Sequence, residues 1–174
     1  MTTSIDVLED AFTRIRDTVR RAVGGLTAEQ LSARLDPEAN TIAWLVWHLT
    51  RVQDDHVAEV AGGEQVWNAG GWEQRFGLPF APDATGYGQS PAEVAQVAGP
   101  GVTAESLVGY HEAVYAATLA YLRSLGEGRA ALSEVVDENW DPPVTLAVRL
   151  VSVISDDLQH AGQAAFIRGV VERA

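Results

Sequence analysis

The chain has 174 residues, of which 47% are hydrophobic and 21% charged, a balance that fits one globular domain over residues 1–174 rather than a disordered chain. Its formal net charge of -12 argues against nucleic acid and anionic membranes as partners, because both are bound through clustered basic side chains. The absence of cysteine excludes disulfides, thiolate metal sites and a cysteine nucleophile, so any thiol chemistry would need a thiol from outside the protein.

The N-terminus and the apolar segments predict where the protein resides. The segment MTTSIDVLEDAF lacks the basic and apolar regions of a secretion signal. No apolar run approaches the roughly 20 residues that a membrane span requires. We therefore expect a cytoplasmic protein that does not enter a membrane.

Hydrophobic periodicity predicts four long helices and an all-α fold. In the first helix apolar side chains recur at helical spacing, and Gly24 and Gly25 follow its end. No segment alternates over a length that would indicate a strand. The predicted helices cover about residues 4–23, 40–60, 103–125 and 144–169. This pattern favours a four-helix bundle with one long crossover connection between the second and third helices.

That connection, about residues 62–101, contains repeated glycine and proline together with several aromatic side chains. Loops of this length are usually either functional or disordered. The aromatic content argues against disorder, because disordered segments are poor in aromatics. The sequence thus predicts an ordered crossover.

The fourth helix carries polar side chains close to a surface that should be buried. Asp156 and His160 are four residues apart, so they are neighbours on one side of the helix. A helical projection places His160 at the edge of the apolar arc. That arc is predicted to comprise Leu146, Leu150, Val151, Ile154, Leu158, Ala161 and Ala165. A carboxylate and an imidazole at this spacing can bind one metal ion, although such pairs are also common as surface ion pairs.

The second helix adds two candidate imidazoles. His48 is predicted at the edge of the apolar arc beside Trp44 and Asp55, whereas His56 is predicted near the centre of the arc. The pattern alone makes both partly buried and does not select either as a ligand. His111 in the third helix is expected to be structural or exposed.

Two segments resemble helices of the DinB/YfiT-like metalloenzyme superfamily. NTIAWLVWHLTRVQDD, residues 40–55, resembles the helix that carries the first metal histidine, and DDLQHAGQAAFIRG, residues 156–169, resembles the last helix. The resemblance covers the whole chain in length and helix order. It is greatest to the single-domain mycothiol S-transferases, which are related to the metal-binding domain of mycothiol-dependent maleylpyruvate isomerase. It implies a metal triad of His48, Asp156 and His160.

The resemblance also implies a reaction. A divalent ion, zinc in the first place and nickel or iron as alternatives, would activate mycothiol as a metal-bound thiolate for attack on an electrophile in detoxification, since the thiolate is the nucleophile. All 12 basic side chains are arginine, which suggests a high-G+C bacterial genome and favours mycothiol over bacillithiol. The implied partners are the small thiol, the electrophile and a second copy of the chain in a homodimer.

Further side chains are assigned around the implied triad. Gln163 is expected to orient His160 or the thiol, and Asp55 to hydrogen-bond a ligand or the sugar of the thiol, although a solvated charge explains Asp55 equally well. Tryptophans are candidates for the wall of the electrophile pocket, with packing in the core or in the loop as the alternative. These tryptophans are Trp44, Trp47, Trp67 and Trp72.

Two other functions remain open on the sequence. A metal-dependent hydrolase would use the same residues to activate water. A non-catalytic, stress-related metal-binding bundle is the second alternative, because Asp156 stands where members of the superfamily carry His or Glu. His56 remains the rival to His48 as a ligand.

Overall fold

Helices account for most of the chain in the computed structural model, which describes residues 2–126 and 130–173. The helices are α1 (Ser4–Val23), α2 (Ala28–Leu31), α3 (Ile42–Ala61), α4 (Val66–Ala69), α5 (Trp72–Phe76), α6 (Pro91–Val94), α7 (Ala104–Ser124) and α8 (Leu146–Val171). A 3₁₀ turn, Ala131–Ser133, and two short strands, β1 (Val135–Asp137) and β2 (Val144–Thr145), precede α8. The predicted all-α class is confirmed. None of these helices is both long and apolar enough to cross a membrane.

The long helices α1, α3, α7 and α8 share one start signal. Each begins after a threonine whose hydroxyl accepts a hydrogen bond from a backbone N–H of the first turn. Such an N-cap satisfies a donor that the helix leaves unpaired and stabilises it by roughly 1 kcal/mol. The N-caps are Thr3, Thr41, Thr103 and Thr145.

The long helices pack around an apolar core. α3 packs against α7 and α8, and α1 packs against the same two helices. The apolar side chains predicted on one face of α1 are all buried, and these are Ile5, Leu8, Phe12, Ile15 and Val19. Because α3 and α8 are in direct contact, polar side chains on their facing surfaces meet inside the bundle.

The buried face of α8 differs from the predicted apolar arc. Val151 is 58% exposed and Leu158 is 46% exposed, whereas Asp157 has no exposed surface and Arg149 is nearly buried. The prediction of this arc is right for Leu146, Leu150 and Ala161, which are buried, and wrong for Val151, Leu158 and Ala165, because α8 also carries apolar side chains on its outer face. Hydrophobicity therefore could not identify which face packs against α1 and α3.

A small hairpin precedes α8 and shortens it. β1 and β2 are antiparallel, with Val135 opposite Thr145 and Asp137 opposite Val144. The sequence predicts no strand here, because segments of three and two residues are too short to show alternation. α8 consequently begins at Leu146 rather than at residue 144.

His111 on α7 is buried, which agrees with the structural role, one of the two possibilities that the sequence left open. The Thr50 hydroxyl donates to the Val46 carbonyl over 2.7 Å and accepts from Nδ1 of His111 over 3.1 Å. The other ring nitrogen, Nε2, is buried and has no hydrogen-bond partner among the described residues. Burial, with a smaller contribution from the charge of Arg16, lowers the pKa of His111 from 6.5 to about 4.

The His111 pKa predicts how stability depends on pH. The folded protein binds fewer protons at this ring than the unfolded chain does. The contribution of the neutral His111 ring to the free energy of unfolding is therefore full above pH 6.5 and is lost as the pH falls toward about 4. We expect wild type to lose about 3 kcal/mol more of its free energy of unfolding over this window than His111→Gln does. Urea unfolding at both ends of the window measures the difference. His56→Gln, which changes a half-exposed imidazole, is the control, and parallel losses in wild type and His111→Gln would contradict the prediction.

Candidate metal centre

Three of the predicted site residues meet between α3 and α8. His48, Asp156 and His160, hereafter the His–Asp–His cluster, each offer a ligand atom, and these atoms lie within 4.8 Å of one another. His48 is 5% exposed, while the side chains of Asp156 and His160 are 34% and 19% exposed. The four-residue spacing on α8 places Asp156 and His160 on one side of that helix, and the contact with α3 brings His48 against them.

The ring of His48 is held in one orientation. Its Nδ1 lies 2.6 Å from the backbone carbonyl oxygen of Thr85. A carbonyl oxygen can only accept, so Nδ1 carries the proton and Nε2 carries the free lone pair. Trp44 stacks on the same ring with a centroid separation of 4.5 Å and an interplanar angle of 15°. Burial lowers the pKa of His48 below its ordinary value of 6.5, which favours the neutral imidazole that a metal ion needs.

His160 is oriented in the same manner by its own helix. Its Nδ1 lies 2.9 Å from the side-chain carbonyl oxygen of Gln163, and its Nε2 lies 3.6 Å from Oδ1 of Asp156. The rings of His48 and His160 are 4.9 Å apart at 72°. Both imidazoles therefore use Nδ1 for a carbonyl partner and leave Nε2 for the cluster.

The donor set fits a divalent metal ion. Oδ2 of Asp156 is buried without a hydrogen-bond partner in the described part of the chain, although buried polar atoms nearly always have one. Two imidazole nitrogens and a carboxylate oxygen are a ligand set that zinc accepts. The 3.6 Å between His160 Nε2 and Asp156 Oδ1 is close to the separation of about 3.4 Å between two tetrahedral ligands at zinc–ligand distances of about 2.1 Å.

A cavity of about 440 Å³ adjoins the cluster, hereafter the α3–α8 cavity. Its lining residues are His48, Val52, Asp55, His56, Thr85, Tyr87, Ser152, Val153 and Asp156. A second cavity of about 590 Å³ follows the outer face of α8, hereafter the outer α8 cavity, and Ser152 and Asp156 line both cavities. Asp156 therefore lies where the two spaces meet, while His48 lines only the α3–α8 cavity.

Of the four tryptophans predicted to line a pocket, only Trp44 makes ring contacts with the cluster. Trp44 contacts the rings of both His48 and His160. Trp47 and Trp67 are buried in the core, and Trp72 packs against aromatic neighbours in α5 and α7. None of the four is among the residues that line either cavity.

The remaining predicted residues separate into two groups. Gln163 touches His160, and Asp55 lines the α3–α8 cavity, where it accepts a hydrogen bond from Gln65 over 2.6 Å. His56 lines the same cavity, but its Nδ1 faces Arg149 rather than the cluster. Its side chain is 38% exposed, which confirms the predicted partial burial but does not fit a position at the centre of the apolar arc.

The crossover supplies site residues that sequence reasoning missed. Thr85 acts through a backbone carbonyl, which every residue type possesses, so its side chain gives no signal. Gly86 has φ +94°, and a Cβ there would lie 2.9 Å from both Nδ1 of His48 and Cζ3 of Trp47. A glycine is needed at this point because the backbone both adopts a left-handed conformation and approaches the ring closely. The glycines in "TGYG" were the available signal.

Comparison with known proteins agrees with this geometry. Residues 7–172 match the sequence model of the mycothiol-S-transferase family. A solved structure, described as the conserved protein of locus from Enterococcus faecalis, is 27% identical and covers 100% of both chains with a TM-score of 0.90. No curated protein matches the chain. Since the family match extends over nearly the whole sequence, the chain belongs to the mycothiol S-transferase family, which has a DinB/YfiT-like fold.

Proposed function

We propose that this protein is a divalent-metal-dependent S-transferase that joins mycothiol to electrophiles. The observation that carries the proposal is that His48, Asp156 and His160 each place a ligand atom within 4.8 Å of the others beside a cavity, with Asp156 Oδ2 buried and without a partner among the described residues, in a chain of this family. His48, Asp156 and His160 would hold the ion. Three protein ligands leave a fourth position open, as in catalytic rather than structural zinc sites. When bound, the ion supplies the positive charge that favours a thiolate over a thiol.

The protein's own groups prepare this site. Thr85 and Gln163 hold the two imidazoles by their Nδ1 atoms, so no ring has to reorient when a ligand arrives. Trp44 covers one face of His48 and keeps water from it. The thiol would enter from the α3–α8 cavity and release its proton to solvent. Its sulfur would then form a bond to the electrophilic carbon and displace the leaving group with its electron pair.

The charge around the α3–α8 cavity supports mycothiol as the thiol. Asp55 and Asp156 line it, and none of its nine lining residues is a lysine or an arginine. A thiol that carries several carboxylates or phosphates would find no lysine or arginine to pair with among these residues, whereas mycothiol offers amide and sugar hydroxyl groups. Asp55, Ser152 and Tyr87 are the polar lining side chains placed to hydrogen-bond such hydroxyls.

The outer α8 cavity supports an apolar electrophile. Val148 and Val151 line it, and both side chains are more than half exposed. Because Asp156 lines this cavity as well as the α3–α8 cavity, an electrophile there would lie next to the cluster. Zinc as the ion, detoxification as the purpose, the cytoplasm as the location, a single domain and a homodimer stay predictions.

The metal-binding part of the proposal is tested by loss of a ligand. We expect purified, untagged wild type to bind one zinc ion per chain, and His160→Ala to bind zinc more than about 100-fold more weakly, since loss of a supporting outer partner alone costs 10–100-fold. Elemental analysis and calorimetric titration measure both. His56→Ala removes the other imidazole of the cavity and should keep wild-type affinity. If His56→Ala lost zinc while His160→Ala retained it, His56 rather than His160 would be the ligand, and the proposed metal site would be wrong.

The transfer reaction is tested by its thiol. Conjugation of an aryl or alkyl electrophile should require mycothiol, and glutathione, with its two carboxylates, should give a lower kcat/KM. Asp55→Asn removes one lining charge and should lower the ratio of kcat/KM with mycothiol to kcat/KM with glutathione several-fold. Glu105→Gln on α7 removes a charge away from the cavity and should leave this ratio unchanged. Product formation is followed by mass spectrometry. Turnover of an ester or amide without any thiol would instead establish a hydrolase, and no turnover with either would favour a non-catalytic bundle.

A further inference from the structure

Arg51 is a charged side chain with no exposed surface, and it lies three residues after His48 on α3. A buried guanidinium is costly unless its donors and its charge are matched by partners. Arg51 lines neither of the cavities beside the cluster. Its partners therefore show what this costly group does in the fold.

Two of these partners are carbonyl groups of the crossover. Nε of Arg51 donates to the carbonyl of Ala84 over 3.0 Å, and Nη2 donates to the carbonyl of Pro82 over 3.4 Å. Nη1 donates to the hydroxyl of Tyr110 on α7 over 3.3 Å. The planar fork of one arginine thus binds two backbone groups of the crossover and one side chain of the core.

Asp54 provides the matching negative charge and ties down the start of the crossover. Its Oδ2 lies 3.6 Å from Nη1 of Arg51 and accepts from the hydroxyl of Tyr110 over 2.7 Å. The same carboxylate accepts the backbone N–H groups of Val66 and Trp67 over 2.8 and 2.7 Å. Arg51, Asp54 and Tyr110, hereafter the buried triad, therefore connect α3 and α7 to two separate parts of the crossover.

The segment that Arg51 holds leads directly to the site. Thr85 follows Ala84, and its carbonyl is the group that accepts from Nδ1 of His48. Gly86 comes next and packs its backbone against the rings of His48 and Trp47. The hydrogen bonds of Arg51 consequently fix the position of the carbonyl that orients His48.

We infer that the buried triad is a positioning device for His48: Arg51 holds the Pro82–Ala84 backbone so that the Thr85 carbonyl keeps the proton on Nδ1 and directs Nε2 toward Asp156 and His160. Arg51 acts through the crossover and touches no reacting group. The inference rests on the proposed function, since it assigns the network to a metal ligand. The competing explanation is that the triad only stabilises the fold.

The test compares Arg51→Gln with a matched change that spares the crossover. Gln53 is also a buried polar residue on α3, but its side chain donates to Thr118 on α7. We expect Arg51→Gln to weaken zinc binding about 10–100-fold, as loss of the support of a metal histidine does. Gln53→Met should destabilise the protein without changing the zinc affinity of its folded form. Calorimetric titration gives the affinity, and urea unfolding gives the stability.

A second readout follows the imidazole itself without any metal. Long-range nitrogen–proton NMR of the metal-free protein reports which ring nitrogen of His48 carries the proton. We expect the Nδ1–H form in wild type and in Gln53→Met, and a mixture of both tautomers in Arg51→Gln. An unchanged tautomer with unchanged zinc affinity in folded Arg51→Gln would overturn the inference. Equal losses of zinc affinity in Gln53→Met would overturn it as well.

The outcomes separate this inference from the proposed function. If Arg51→Gln does not fold, Tyr110→Phe decides, because it keeps the ring while removing the hydroxyl that joins Arg51 to Asp54. That variant should show weaker zinc binding and a mixture of His48 tautomers, both to a smaller degree than Arg51→Gln. A zinc affinity and a tautomer equal to those of wild type would overturn the inference. If wild type binds no zinc, the proposed function fails, while the tautomer of His48 still decides whether Arg51 positions it.

Discussion

Polar groups enclosed between α3 and α8 must find partners or lose their charge, and this requirement governs much of the structure. His48 meets it with the Thr85 carbonyl and a lowered pKa that favours the neutral ring. Asp157 has no exposed surface, and burial, with the nearby charge of Asp156, raises its pKa well above the ordinary range and favours the protonated acid. Oδ2 of Asp156 remains without a partner among the described residues, and it is the atom that a cation would satisfy.

The crossover is ordered because it is attached to the bundle at separate points. Asp54 binds its beginning, and Arg51 binds its later part. Trp67 adds an apolar anchor in the core, and the guanidinium of Arg51 lies 5.1 Å from its ring centroid. A long connection held in this way can keep a backbone carbonyl in a fixed position against a buried ring. A loop therefore contributes a group to the site, while α3 and α8 form the framework of the site.

The chemistry proposed for the cluster follows from what the chain lacks and from what surrounds the site. A protein without cysteine must receive its sulfur nucleophile from a small molecule. The lining of the α3–α8 cavity has no lysine or arginine, so in the proposed reaction it would favour a thiol without carboxylates. The proposed electrophile or the predicted second copy of the chain would contact the exposed apolar side chains of α8. They are Val148, Val151, Leu158 and Phe166.

The sequence by itself determined the all-α class, the long helices to within a few residues and the association of His48 with Asp156 and His160, because capping, helical periodicity and a family motif are local signals. Only the tertiary structure decided which face of α8 is buried, since apolar side chains occupy both of its faces. It also decided that His56 faces Arg149 and that Trp47 and Trp67 belong to the core. The Thr85 carbonyl and the Arg51 contacts lie beyond any local pattern, because backbone groups look alike in every sequence and their partners are set by how a distant segment folds back.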